Sequence, residues 1–170
     1  MIAAAVPRET GSWADMGAGG GTFSRALARR LGSGSRIYAV DRDRDVIASL
    51  QELATDGVEI VPVLADFTQT TSLAGVRGLL DGMLFANSLH FVAKPDDVLA
   101  RLVTLVRRGG RVVIVEYDGR RPSRWVPYPI SSARLREIVT TAGLAAPVIT
   151  AARPSQYGGS LYVAVTQRDS

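Results

Sequence analysis

Short apolar runs alternate along this chain with stretches in which apolar positions recur every three or four residues. The runs read as buried strands and the periodic stretches as helices lying on a sheet. Strands are predicted near 12–16, 36–40, 58–65, 81–87, 110–116, 146–151 and 160–167, and helices near 22–31, 43–54, 72–79, 95–107 and 131–142. In the first helix Phe23, Ala26, Leu27, Ala28 and Leu31 share one face, while Arg25, Arg29 and Arg30 fill the other. Asp43 and Pro95 suit helix starts, and Gly57, Gly109 and Gly143 fall where a helix must stop. Strands and helices in alternation predict βαβ units and a parallel sheet. No helix separates the last two strands, so they read as an antiparallel hairpin turning at Arg153 to Gly159.

The first strand runs into Asp15-Met16-Gly17-Ala18-Gly19-Gly20-Gly21 and then a helix. Glycines at such a turn allow positive φ and let a ligand approach the main chain. The spacing G-x-G-x-G at Gly17, Gly19 and Gly21 departs from the G-x-G-x-x-G of dinucleotide sites, where Thr22 stands at the third position. A carboxylate at Asp15 repels a pyrophosphate and attracts an ammonium or sulfonium group. Two more acids end predicted strands, where an α/β sheet presents its ligand crevice. Asp41, with Arg42 beside it, lies about twenty residues beyond the glycine loop, where an acid meets ribose hydroxyls. Asp66 precedes Phe67, a carboxylate and a ring suited to an exocyclic amine and a base. The same acids also suit helix caps and turns.

These residues, with Asn87-Ser88-Leu89-His90-Phe91, resemble the class I S-adenosylmethionine-dependent methyltransferases. The resemblance runs over most of the chain. It implies a Rossmann-like, doubly wound α/β fold with a mostly parallel seven-stranded sheet of order 3-2-1-4-5-7-6 and an antiparallel last strand. It implies S-adenosylmethionine as cofactor and S-adenosylhomocysteine as product, with the glycine loop at the methionine part, Asp41 at the ribose, Asp66 and Phe67 at the adenine, and the Asn87 backbone beside the methionine moiety. Asn87-Ser88-Leu89-His90 is not the Asn/Asp-Pro-Pro-Tyr/Phe signature of enzymes that methylate amino groups of bases or glutamine. The segment looks more like the small-molecule branch.

Methyl transfer chiefly requires alignment of nucleophile, methyl group and sulfur in a water-poor pocket. A hydroxyl acceptor also needs a base, and His90, the single histidine, is the candidate. It equally suits a packing role. Glu116 and Tyr117, at the end of the fifth predicted strand, are candidate substrate contacts. The irregular segment Tyr117 to Pro129 has the length and aromatic content of a lid: Trp125 and Tyr128 can wall a pocket, and Arg120, Arg121 and Arg124 can meet a carboxylate or phosphate. A surface crossover pinned by prolines would use the same residues.

Composition narrows the classes. With 170 residues, 46% of them hydrophobic, and no linker-like stretch, the chain is expected to form one domain over 1–170. No cysteine is present, which removes disulfide and thiolate chemistry, and one histidine gives no basis for a metal site. The net charge of +4 comes from dispersed residues of which only Lys94 is lysine, a compositional bias rather than a basic tract, so no nucleic-acid partner is expected. Met1 to Val6 is too short for a signal-peptide core and no run reaches membrane length, so a cytoplasmic protein without membrane contact is expected. Little chain precedes the glycine loop, so an open crevice is expected, one that either a second subunit of a homodimer closes or a large, bulky acceptor fills. A small-molecule acceptor is the expected partner. An NAD-binding oxidoreductase and a non-catalytic module that keeps the cofactor fold are the alternatives.

Overall fold

The computed structural model describes residues 1–53 and 55–169. Seven strands form one sheet: β1 (Ser12–Met16), β2 (Arg36–Asp41), β3 (Glu59–Leu64), β4 (Leu80–Ala86), β5 (Val106–Asp118), β6 (Val148–Pro154) and β7 (Ser160–Gln167), in the order β3-β2-β1-β4-β5-β7-β6. The first five pair in parallel, whereas β7 runs antiparallel between β5 and β6. Among the described residues the α-helices are α1 (Thr22–Ala28), α2 (Arg44–Gln51), α3 (Pro95–Leu102) and α4 (Ser132–Thr141). The expected fold class and strand order are observed.

The central strands send alternate side chains into two apolar layers, as strand geometry requires. Trp13, Ile37, Leu84 and Val113 pack with Leu27 and Leu31 on one side. Ala14, Tyr38, Phe85 and Ile114 pack with Leu99, Leu135 and Ile138 of α3 and α4 on the other. Gly82 admits Trp13 to the sheet, because a Cβ there would lie 2.5 Å from the indole ring. Asp43 caps α2 by accepting from the Asp45 N–H at 2.9 Å, Ser131 caps α4 through the Arg134 N–H, and Pro95 occupies the first turn of α3.

Three expectations are corrected. No helix forms over 72–79: the segment turns at Gly75 and Gly78, with φ of 78° and 76°, and only Leu73 is buried. Positive φ at both glycines interrupts the helical path that the apolar spacing favoured. The helix expected over 95–107 ends at Leu102, passes through a 3-10 turn at Val103–Leu105, and gives way to β5 at Val106. Gly109 therefore stops no helix but lies in a bulge, since the β4–β5 register moves from Leu80↔Val106 to Gly82↔Arg111. The helix expected to reach 54 is last seen at Gln51; Ala54 lies outside the described residues.

Candidate functional site

The carboxyl ends of β1, β2, β3, β4 and β5 converge on one crevice, and the loop after β1 crosses its floor. Gly17 and Ala18 both donate their N–H to Val40 O at 2.9 Å, Gly19 donates to Asp41 Oδ2 at 2.9 Å, and Gly21 donates to Ala18 O at 3.0 Å. Asp41 thus ties the loop to the end of β2, and its Oδ1 accepts from the Asp43 N–H. Gly17 sits at φ +79°, and a Cβ on it would lie 2.8 Å from Ser88 Cβ. Gly21 turns away from the crevice: its missing Cβ makes room for Leu53 and Leu50 of the α2 segment. Gly21 is therefore a packing position here, although its spacing marked it with the other two glycines.

Asp15 is buried beneath this loop. Its Oδ2 accepts from Ser24 Oγ at 2.7 Å, while its Oδ1 has no partner among the described residues. Burial raises its carboxyl pKa to about 6, the Asp41 charge adds to the rise, and the Ser24 hydrogen bond opposes it. Asn87 holds a left-handed conformation, φ 56°, anchored by its N–H on Val115 O at 2.9 Å. Asn87 Oδ1 and Ser88 Oγ are also buried without a partner among the described residues. Three orphaned polar atoms thus flank the glycine loop, which native structures tolerate where another group satisfies them.

A cavity of about 460 Å³ is lined by Gly17, Gly19, Asp41, Asp66, Phe67 and Asn87, and also by Arg42, Thr68 and Ser88. Asp66 Oδ1 accepts from the Thr68 N–H and hydroxyl at 2.9 and 2.7 Å, which fixes the turn and leaves Oδ2 free of protein partners among the described residues. Arg101 of α3 clamps that turn from behind, donating to Thr68 O at 2.7 Å and to Thr70 O at 2.9 Å. Phe67 packs edge-on against Phe85. Arg101 was not visible as a site residue in the sequence, where it is one arginine on a helix face.

A second cavity, about 430 Å³, shares Asn87 and Phe91 with the first and is otherwise lined by His90, Tyr117, Arg120, Trp125, Val126 and Tyr157. Glu116 is fully buried and does not line it. Its carboxylate faces His90, with Oε2 2.7 Å from Nδ1 and Oε1 accepting from the His90 N–H at 3.2 Å. Glu116 is thus placed behind the histidine rather than against a substrate. Tyr162, opposite Glu116 across β5 and β7, donates its hydroxyl to Ile130 O at 2.9 Å, and burial beside two carboxylates pushes its phenol above the usual range. Tyr128 donates its N–H to His90 O, which pins the long loop to the site, and Val126 and Ile130 bury their side chains beneath it. Tyr128 itself does not line the cavity.

Residues 14–114, more than half of the chain, match the family model described as a methyltransferase domain. The chain belongs to the class I S-adenosylmethionine-dependent methyltransferases. Ubiquinone biosynthesis O-methyltransferase of Aeromonas salmonicida is 29% identical over 126 residues, 74% of this chain and 50% of that protein. Ribosomal RNA small subunit methyltransferase H of Bordetella avium is 35% identical over 85 residues, 48% of this chain and 24% of that protein. The chain therefore spans half or less of the curated relatives it matches here. A solved methyltransferase fold, the Burkholderia thailandensis 1,6-didemethyltoxoflavin-N1-methyltransferase with bound 1,6-didemethyltoxoflavin and S-adenosylhomocysteine, superposes with a TM-score of 0.71 at 21% identity over 95% of this chain and 72% of that one.

The cofactor of this methyltransferase family suits the first cavity on its own chemistry. Glycines without side chains leave room at the loop, Asp15 keeps an orphaned buried oxygen beneath it, and Asp41 and Asp66 line the cavity with carboxylate acceptors. Among the described residues no cluster of three His, Asp or Glu is placed to hold a metal ion. Among the described residues no helix is long and apolar enough to cross a membrane.

Proposed function

We propose that this chain is an S-adenosylmethionine-dependent methyltransferase that methylates an oxygen, nitrogen or carbon atom of a small-molecule acceptor. The observation that carries this reading is the meeting of two cavities at Asn87 and Phe91, one lined by acids and glycines, the other by aromatics with a histidine. Gly17, Gly19, Asp41, Asp66, Phe67 and Asn87 would hold the cofactor, with Arg42 at the rim and Asp15 acting from beneath the loop. Bound there, S-adenosylmethionine supplies a methyl group on a positively charged sulfur whose charge disperses as transfer proceeds. His90 receives the acceptor's proton at Nε2, because Glu116 holds Nδ1. The aromatic walls orient the acceptor.

A dinucleotide fits less well. Of the five N–H groups from Gly17 to Gly21, four are engaged within the protein, so the loop offers little to a pyrophosphate.

Calorimetric titration with S-adenosylhomocysteine, with NADH as control, tests the proposal. Micromolar binding that Asp41→Ala abolishes is expected, together with a stabilisation of about 2.7 kcal/mol at a hundredfold excess over Kd. A preference for NADH, or no binding of S-adenosylhomocysteine, would overturn it.

A further inference from the structure

Three of the large hydrophobic side chains left most exposed, Phe91 (54%), Trp125 (65%) and Tyr157 (73%), come from three separate segments and converge on the second cavity. Tyr117 supplies a fourth ring. Exposed aromatic surface gathered in one concavity marks a ligand face rather than scattered surface residues. Among these rings lies one cation. The Arg120 guanidinium stands 4.7 Å from the Tyr117 ring centroid and 5.5 Å from that of Tyr157, which holds it in place by cation–π attraction.

Arg120 has no ion pair and no side-chain hydrogen bond among the described residues. The acid two positions away, Asp118, is engaged instead by the Ser132 hydroxyl at 2.6 Å. Glu116 is turned inward onto His90. Arg120 is thus a half-buried guanidinium at an aromatic cavity whose neighbouring carboxylates are both committed elsewhere. Arg124, by contrast, stacks on Trp125 at 4.5 Å and does not line the cavity, nor does Arg121.

We infer that Arg120 binds a carboxylate of the acceptor, and that the acceptor is a planar aromatic acid whose hydroxyl is turned towards His90. This rests on the methyltransferase reading above and deepens it. The rings take the flat face of the acceptor, the guanidinium takes the anionic end as a forked donor, and the histidine takes the hydroxyl proton at Nε2, becoming an imidazolium that Glu116 faces at 2.7 Å. A cavity of about 430 Å³ accommodates one or two fused rings with their substituents.

The test is binding of hydroxylated benzoic, cinnamic and naphthoic acids, each against its neutral amide, to the S-adenosylhomocysteine complex, in wild type, Arg120→Gln and Arg120→Lys. At least one acid is expected to bind tenfold or more tightly than its amide. Arg120→Gln should abolish that preference and Arg120→Lys restore part of it, with affinity for S-adenosylhomocysteine unchanged. Equal binding of acids and amides, binding of neither, or a preference that survives Arg120→Gln would overturn the assignment. A fall in S-adenosylhomocysteine affinity in Arg120→Gln would also overturn it, placing the cofactor's own carboxylate on the guanidinium. Failure of the wild type to bind S-adenosylhomocysteine, with the acid preference intact, would instead overturn the methyltransferase reading alone.

Discussion

Glu116 Oε2 lies 2.7 Å from His90 Nδ1, and both side chains are shut off from solvent, at 0% and 3% exposure. A buried carboxylate that accepts from Nδ1–H fixes the imidazole tautomer and leaves Nε2 bare towards the cavity that His90 lines. Because the chain has one histidine, its ¹⁵N spectrum reads this directly. Nδ1 is expected to carry the proton at neutral pH, and Glu116→Gln, whose amide can donate, should move it to Nε2. Methyl transfer to a hydroxyl acceptor should then fall by about 10²-fold or more, the usual contribution of a positioned base. An unchanged tautomer in the variant would leave Glu116 a packing residue.

Asp15 gives the protein a pH-dependent liability. Its folded-state pKa of about 6 lies above the ordinary 3.8, so ionisation opposes folding. The stability of its protonated form is complete below about 3.8 and is lost as pH rises through about 6, a penalty on the order of 3 kcal/mol at pH 7. Asp15→Asn, which keeps an acceptor for Ser24, should gain on wild type in Tm as pH rises from 4 to 7 while weakening S-adenosylhomocysteine. A Tm difference that does not vary with pH would show that Asp15 titrates normally.

Two glycines of the loop should respond differently to the same change. Gly17→Ala places a Cβ 2.8 Å from Ser88 Cβ at φ +79°, so both fold stability and ligand binding should suffer. Gly19→Ala, at φ +50°, meets no atom within 4 Å; it should cost only about 1 kcal/mol of backbone strain yet block the cavity its Cα lines. Thermal melts paired with S-adenosylhomocysteine titrations separate the two. Equal loss of stability in both variants would contradict the difference in space.

The strands and the crevice were legible because each signal is local. Val58 to Ala65 and Asp81 to Asn87 are apolar runs bounded by turn residues, and the acids at positions 41 and 66 follow strands directly. What local patterns do not encode is which side chain answers which across the sheet. Glu116 and His90 are 26 residues apart, so their pairing depends on β4 and β5 being neighbours, and Glu116 reads from sequence as a residue facing the ligand. Tyr157 enters the second cavity only because the β6–β7 turn folds against Asp118 and Gly119. The failed helix at 72–79 shows the reverse limit: apolar spacing favoured it, and Gly75 and Gly78 overrode that preference.

Arg101 carries the last prediction, because it acts on the site without lining it. Its guanidinium bonds Thr68 O at 2.7 Å, Thr70 O at 2.9 Å and Phe67 O at 3.4 Å, holding the turn that presents Asp66 and Phe67. Arg101→Met keeps the stem that packs along α3 but removes these donors. Freed from the clamp, the turn must be ordered by the ligand itself, so affinity for S-adenosylhomocysteine should fall by about tenfold, equivalent to about 1.4 kcal/mol. Hydrogen exchange at residues 67–70 should quicken in the unliganded variant and slow again on binding, while exchange in β4 and β5 stays as in wild type. Exchange rising across the whole sheet would mean that Arg101 stabilises the fold rather than the turn.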